Sequence, residues 1–186
     1  MEETDSSQSS EIIEIASDGD VIFVVGPEMV RFRVRSQSLR AVSKPFFAML
    51  GPDWKEGHDM LDKDGPVELS LPEDNPAALK MIFALVHRRK GMVPRTLTPR
   101  FVLEVAITVD KYDLVDFMKF ASGEWLRPGQ RCADDLMILA AAAYLFQNAQ
   151  GFKEITKALL LEHEDSYLSL LSKEIESVMA WRVFCE

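Results

Sequence analysis

The amino-acid sequence predicts an α+β fold, in which helices clamp a small mixed sheet and an all-helical extension follows. Three strand-like runs occur before residue 72, and apolar residues recur at helical spacing through most of the remaining chain. A hairpin and one later strand cannot bury an apolar face by themselves, so the helices must cover the sheet. With 186 residues, 47% of them hydrophobic, the chain can build this core without disulfides or metal.

The first two strands are predicted to form a hairpin around Gly26-Pro27. Val21–Val25 is a continuous run of β-forming residues, which is typical of a strand buried on both faces. Residues 30–35 alternate apolar and arginine side chains, which predicts that the apolar set faces the core and the arginines face water. Residues 67–71 also alternate, and they predict a third strand with one wet face.

Two short helices are predicted to meet near Pro45. The residue interrupts a helical spacing of apolar side chains, and Ser43 is placed to cap a second helix whose first turn contains the proline. This second helix is expected to stop at Gly51-Pro52. The polar, turn-rich residues 53–66 then predict a surface loop.

Longer helices are predicted for the rest of the chain. Asp74-Asn75-Pro76 opens the first, which is expected to end at Arg88–Gly91, with cations at the negative end of the dipole and Gly91 as terminator. Thr98-Pro99 opens the next, and a connection at Asp113 leads to a helix that ends before Pro128-Gly129. Further helical segments are predicted over about 133–148, 152–163, 167–172 and 174–184.

The formal charge of −9 is concentrated near the N-terminus. Residues 1–20 contain seven acidic side chains and no basic one, which leaves −2 on the other 166 residues. The acidic, serine-rich composition predicts a disordered tail over residues 1–10. The predicted organisation is therefore this tail, a folded domain over 11–128 and a helical C-terminal extension over 129–186.

The sequence carries no pattern typical of an active site, a cofactor site or a metal site. Its two cysteines and three histidines lack zinc-ligand spacing, and neither a Gly-rich phosphate loop nor a Ser/His/Asp arrangement occurs. We therefore predict no catalytic residue, no cofactor and no metal, and a protein that is not an enzyme. Asp110, beside Tyr112, is interpreted as a buried structural carboxylate with a hydrogen-bonded partner, and a catalytic role is the minor alternative.

Compartment and partner classes follow from charge and hydropathy. The longest apolar run, Leu136–Phe146, has eleven residues and is too short to span a bilayer, and the acidic N-terminus is unlike a signal peptide. We expect an intracellular protein, in the nucleus or the cytoplasm, with no membrane partner. The acidic balance argues against a nucleic-acid partner. Within this run, Ala140–Ala143 is expected to make an internal interhelical contact, with partner binding as the alternative.

Two basic stretches leave alternatives open. The face formed by Arg31, Arg33 and Arg35 is interpreted as solvated, with a phosphate- or acid-binding patch as the alternative. Arg88-Arg89-Lys90 is interpreted as helix capping rather than as a weak nuclear signal. His87, beside it, is expected at the surface.

Several motifs share the order and spacing of one known domain. They are D-V-I-F-V-V at Asp20–Val25, F-R-V-R-S-Q-S-L at Phe32–Leu39, S-K-P-F-F-A-M-L at Ser43–Leu50, and V-A-I-T-V-D-K-Y-D-L at Val105–Leu114. Together they resemble the BTB/POZ domain over Asp20 to about Trp125, and the divergent fungal BTB proteins most. The helical extension, with A-A-A-Y-L-F-Q-N-A-Q-G-F-K-E-I-T, is similar to that of the fungal members.

The resemblance implies a non-enzymatic module that binds protein partners. BTB adaptors of cullin ubiquitin ligases carry a hydrophobic-x-Glu motif in the loop after Phe-x-x-Met, and here it falls on Trp54 and Glu56. These two residues are the candidate partner-binding residues for a cullin scaffold, although Trp54 could instead fold back on the preceding helices. The second hypothesis is a self-associating scaffold, such as a homodimer, without ligase function.

The resemblance also bears on a pocket that BTB repressors use to bind co-repressors. Its acid corresponds to Asp20 and its base to Ser36, while the family's usual histidine falls on Arg35. Because Ser36 has no charge, the cation of that pocket is missing from this sequence.

Overall fold

A four-stranded mixed sheet forms from the first part of the chain, and helices pack around it. The computed structural model describes residues 11–51, 65–94, 96–163, 167–170 and 172–179. The strands are β1 (Ile12–Glu14), β2 (Val21–Val25), β3 (Val30–Val34) and β4 (Val67–Leu71). Their order across the sheet is β1-β3-β2-β4, with β2 and β3 antiparallel and the two outer strands parallel to their neighbours.

The predicted hairpin and third strand are confirmed, but the sheet has one more strand than the sequence predicted. Strand β1 runs parallel to β3 and pairs Ile13 with Phe32. Just after it, the backbone N–H groups of Ile15 and Ala16 both donate to the carbonyl oxygen of Arg33, at 3.1 and 3.0 Å. A three-residue strand has too short an alternation to be read from sequence, and it is held by bonds to residues far along the chain.

The helices follow the predicted capping pattern. They are α1 (Ser36–Arg40), α2 (Lys44–Met49), α3 (Pro76–Val86), α4 (Pro99–Lys111), α5 (Val115–Trp125), α6 (Ala133–Leu145), α7 (Ala149–Glu162) and α8 (Lys173–Val178), with short 3₁₀ turns at Lys90–Met92 and Tyr167–Leu170. The side chains of Ser43, Asn75 and Thr98 each accept from a first-turn N–H, and each of these helices has a proline in its first turn. Side-chain capping and a preset φ therefore fix three helix starts.

The end of α3 differs from the prediction. The helix stops at Val86, and the left-handed residue that terminates it is Arg88, with φ of 57°, rather than Gly91. The N–H groups of Arg88 and Arg89 donate to Leu85 and Ala84, which satisfies two of the last helix carbonyls. This is a Schellman-type ending, formed by a residue that has no intrinsic preference for a left-handed backbone.

An aromatic cluster lies between the sheet and the helices. Phe23 of β2 stacks on Phe83 of α3 at a ring-centroid distance of 5.3 Å, and Phe46 of α2 stacks on Tyr112 at 4.3 Å. Each such pair adds about 0.5–1.5 kcal/mol beyond its buried area. The cluster therefore ties β2, α2, α3 and the end of α4 into one core.

Helix α6 lies inside the helical part of the molecule. Ala140–Ala143 is fully buried, and α6 packs chiefly against α4 and α7. Small side chains let the helices approach closely, so the structure places this run in an internal contact. Buried residues form a continuous cluster from the sheet to α8, and the predicted boundary at 128/129 stays a prediction.

Within the described ranges, none of the helices combines the length and the apolar content needed to cross a membrane.

Candidate protein-interaction surface

Several acidic residues of the described segments take part in hydrogen bonds and ion pairs within the chain. Across residues 11–51, 65–94, 96–163, 167–170 and 172–179, His, Cys, Asp and Glu form no group that could hold a metal ion. Asp110, expected to be buried, is exposed. The buried carboxylate is Asp74, and the side chain of Thr108, one turn before Tyr112, donates to a helix carbonyl. The prediction that Asp110 is a buried structural carboxylate is therefore wrong, and the carboxylate that Tyr112 bonds is Asp74.

Asp74 joins the start of α3 to the end of α4. Its Oδ2 lies 2.8 Å from Nζ of Lys111 and 3.1 Å from the hydroxyl of Tyr112, which donates to it. Burial, together with the neighbouring Asp74 charge and hydrogen bond, raises the pKa of Tyr112 well above its usual range. Tyr112 is therefore held as a neutral donor, which suits a structural bond and not acid–base chemistry.

Helix α2 is fixed against the end of α4. Ser43 Oγ donates to the carbonyl oxygen of Tyr112 at 2.7 Å and accepts from the N–H of Phe46 at 3.1 Å. Lys44 adds an ion pair with Asp113, at 3.2 Å between Nζ and Oδ2. Two hydrogen bonds, an ion pair and the Phe46–Tyr112 stack thus hold a helix of only six residues in one position.

The outer side of α2 presents Phe47 to solvent. Its side chain is 57% exposed, and the guanidinium carbon of Arg40 lies 4.9 Å from its ring centroid. A cleft of about 330 Å³ opens beside it, lined by residues 40–44, by Asp113 of the α4–α5 turn and by Asp116 of the first turn of α5. The ring therefore stands at the rim of a cleft that joins α2 to α5.

Helix α5, which contributes Asp116 to the cleft, carries two more exposed aromatic side chains. Phe120 follows Asp116 by one helical turn and is 96% exposed, and Phe117 is partly exposed. We name Phe47, Phe117 and Phe120 the aromatic corner. Neither Phe117 nor Phe120 was a candidate site residue from the sequence.

Charged residues surround the aromatic corner. Asp116 accepts a hydrogen bond from Lys119, and that bond and the lysine charge lower the pKa of Asp116 below its usual value. Lys44 and Asp113 form the ion pair already described. An apolar centre with a rim of both charge signs is the usual anatomy of a protein interface.

The candidate residues Trp54 and Glu56 lie outside the described residues. Helix α2, which carries Phe47, ends at Met49, and Gly51 is the last described residue before them. The chain distance between the exposed ring of Phe47 and Trp54 is seven residues.

Asp20, which the resemblance to BTB repressors places at the acid of their co-repressor pocket, bonds within this chain. Asp20 accepts from the backbone N–H and from the hydroxyl of Ser36, at 2.7 and 2.6 Å. Both oxygens of Asp20 are therefore engaged at the start of α1. Arg35, at the family's histidine position, pairs with Asp18 at 2.8 Å.

The arginine face of β3 is partly exposed, as the sequence predicted, and its arginines are also paired with acids. Arg31 pairs with Glu68 of β4, and Arg33 lies 3.8 Å from Glu14 of β1 while its Nε donates to the carbonyl oxygen of Gly19. Acids from β1, which adjoins β3, and from β4, which lies one strand further across the sheet, therefore neutralise these two arginines. An anion-binding patch at Arg31 and Arg33, the alternative interpretation, is disfavoured because their acidic partners cancel the charge of these two arginines.

His87 is half-buried and bonded, which corrects its expected surface position. Its Nε2 accepts from the backbone N–H of Arg35 at 3.0 Å, so the proton is on Nδ1, which donates to the carbonyl oxygen of Phe83 at 2.8 Å. Burial lowers the pKa of His87, and the charges of Arg35 and Arg89 lower it further. His87 is thus a neutral side chain whose two hydrogen bonds link α3 to Arg35, the residue that follows β3.

The sequence matches no protein-family model, and no curated protein matches it.

Proposed function

We propose that the chain is a non-catalytic protein-interaction module, an adaptor that docks on a cullin scaffold through the aromatic corner together with Trp54 and Glu56. The observation that carries the proposal is the exposure of Phe47 and Phe120 on helices that the core holds rigidly. Exposed aromatic rings on a fixed framework lose little conformational entropy on binding, and such residues dominate interface energies.

The sequence order supports the position of this surface. Helix α2 carries Phe47 and directly precedes the segment with Trp54 and Glu56, the two residues that match the hydrophobic-x-Glu motif of cullin adaptors. The cleft beside Phe47 extends the surface to α5 through Asp116.

The burial of Ala140–Ala143 limits which helices can contact the partner. Partner binding was the alternative interpretation for Ala140–Ala143, but this run is occupied by contacts with α4 and α7. Among the large apolar side chains of α6, Tyr144 is the exposed one, at 45%. We therefore propose that α6 packs against α4 inside the domain, and that α2 and α5 contact the cullin scaffold.

Calorimetric titration of the full chain with a purified cullin N-terminal domain tests this function. The double variant Trp54→Ala/Glu56→Ala and the single variant Phe120→Ala should each weaken binding by roughly tenfold or more, as truncation of an interface anchor does. Leu161→Ala is the matched control, because Leu161 is 78% exposed on α7 and belongs to another surface. Wild-type affinity in both aromatic variants, or no binding by the wild type, would overturn the proposal.

A self-associating scaffold without ligase function is the second candidate. It is favoured by the adjacent exposed side chains of Leu160 and Leu161 on α7, a second apolar surface that no described residue covers. Light scattering over a concentration series tests it. A mass that rises with concentration in the wild type and not in Leu161→Ser supports this candidate, and a monomer at high micromolar concentration excludes it.

A further inference from the structure

We propose that a basic cleft beside the end of α3 binds a phosphoryl group carried on a phosphorylated peptide. The cleft has a volume of about 480 Å³ and forms where the segment after β1, the start of α1 and the end of α3 meet. Arg35, Arg88 and Arg89 line it, together with the hydroxyl-bearing Ser38. With Asp18 as the partner of Arg35, these residues carry a formal charge of +2.

Two of the guanidinium groups are anchored in a way that leaves their terminal nitrogens available. Arg35 uses Nε to bond Asp18 Oδ1 at 2.8 Å, and Arg89 uses Nε to bond the carbonyl oxygen of Ile15 at 2.8 Å. The two terminal nitrogens of a guanidinium are the donors that engage phosphate oxygens in pairs. The anchors therefore reduce the conformational entropy that each side chain would lose on binding an anion.

Arg88 supplies the third cation. Its left-handed backbone follows from its position after the helix end, and no ion pair of Arg88 occurs with the residues that the structure describes. Being both exposed and unengaged in this part of the chain, Arg88 is the group that gains most from an incoming anion.

The C-terminus of α3 opposes anion binding, but by less than the arginines favour it. A helix C-terminus carries about half a negative charge, from carbonyl groups that lack partners. Here the carbonyls of Ala84 and Leu85 already accept from Arg89 and Arg88, and Phe83 accepts from His87. The formal +2 of the side chains therefore determines the sign of the local potential.

The charge distribution favours a single phosphoryl group over a nucleic-acid strand. A nucleic-acid track needs a row of cations, and the next arginines along β3, Arg31 and Arg33, are paired with Glu68 and Glu14. Among the described arginines of β3 and of the end of α3, the two without an acidic partner, Arg88 and Arg89, both line this cleft, whose size falls within the range of small-ligand sites. A phosphoserine presents three acceptor oxygens there, whereas a carboxylate presents two.

Binding of a phosphoserine peptide to the full chain, measured by fluorescence anisotropy, tests the proposal. The unphosphorylated peptide, inorganic phosphate and a single-stranded oligonucleotide are the comparison probes. Arg88→Asn is the informative variant, since asparagine tolerates the left-handed backbone and removes the charge. Arg127→Asn is the matched control, because Arg127 is an exposed arginine that follows α5 and pairs with Glu124.

We expect the phosphorylated peptide to bind saturably and its unphosphorylated twin not to bind. Arg88→Asn should weaken binding by about tenfold, the value of one charge-assisted hydrogen bond, while Arg127→Asn leaves it unchanged. Thermal unfolding should show that both variants are folded. Equal affinity of Arg88→Asn and wild type overturns the proposal, and so does tighter binding of the oligonucleotide than of the phosphopeptide. Phosphate binding as tight as phosphopeptide binding overturns the peptide as the source.

Discussion

The basic cleft uses the start of α1 and the aromatic corner uses α2, the next helix, yet different bonds hold the two sites. Beneath the corner lie the Phe46–Tyr112 stack and the buried carboxylate of Asp74. The cleft depends on the half-buried His87 and on the exposed Arg35–Asp18 pair. Buried apolar contacts are insensitive to salt and pH, whereas exposed ion pairs and a histidine are sensitive to both. The buried ring contacts beneath the corner should therefore change less with salt and pH than the ion pair and the histidine of the cleft.

Removal of the ring beneath the corner should have the largest effect. Phe46 is fully buried and contacts Phe23, Phe83 and Tyr112, so Phe46→Ala should lower the free energy of unfolding by about 3–5 kcal/mol. Urea unfolding measures the change. The exposed neighbour provides the control, because Phe47→Ala should cost less than about 1 kcal/mol. Similar losses in the two variants would contradict a corner that is held from its buried side.

Loss of the buried charge should have an intermediate effect. Asp74→Asn keeps the size of the side chain but leaves Lys111 and Tyr112 without their anionic acceptor, and we expect a cost of about 1–3 kcal/mol. The pKa of Tyr112 should also fall, since burial remains but the negative charge is gone. Alkaline titration of the tyrosine absorbance measures this fall. Asp110→Asn, an exposed change one residue before Lys111, should alter neither quantity.

The smallest expected effect is a pH dependence of the stability that comes from His87, which lines the basic cleft. The folded pKa of His87 lies below its ordinary 6.5, so the unfolded chain takes up the proton first as the pH falls. Above about pH 6.5 His87 is neutral in both the folded and the unfolded chain and does not reduce stability. As the pH falls from 6.5 toward the folded pKa, the free energy of unfolding decreases by at most about 1.4 kcal/mol per pH unit. Asp18, Arg35 and Arg89 are the charged groups around it.

Urea unfolding at several pH values, repeated for His87→Gln, isolates this contribution. The variant should lack the part of the slope that lies just below pH 6.5. An unchanged slope in His87→Gln would show that other groups cause the pH dependence.

Local sequence signals were sufficient for much of the fold. The hairpin, the caps at Ser43, Asn75 and Thr98 and the alternation in β4 each depend on residues a few positions apart, and all of them are confirmed. The α+β architecture follows from the same signals. What the sequence did not reveal depends on long-range bonds, as in β1 with β3.

The candidate surface was harder to predict for the same reason. Asp74 and Tyr112 are 38 residues apart, so the burial of one carboxylate and the exposure of Asp110 follow only from packing. Phe120 lies off the apolar stripe of α5, and an aromatic residue on a polar face was the signal available for it. Trp54 and Glu56 were found through a resemblance to a known motif, and their role stays a prediction.

Strand β1 has a consequence for how the protein avoids aggregation. It covers the edge of β3, whose five residues would otherwise offer free backbone groups to a strand of another chain. The new edge is only three residues long and ends in Glu14, so it is a poor template for further pairing. A protease cut in the exposed turn at Ser17 or Asp18 would leave β1 held without a covalent link. Strand β1 therefore protects the edge of the sheet, and its loss would expose the backbone of β3 to pairing with strands of other chains, as in fibrils.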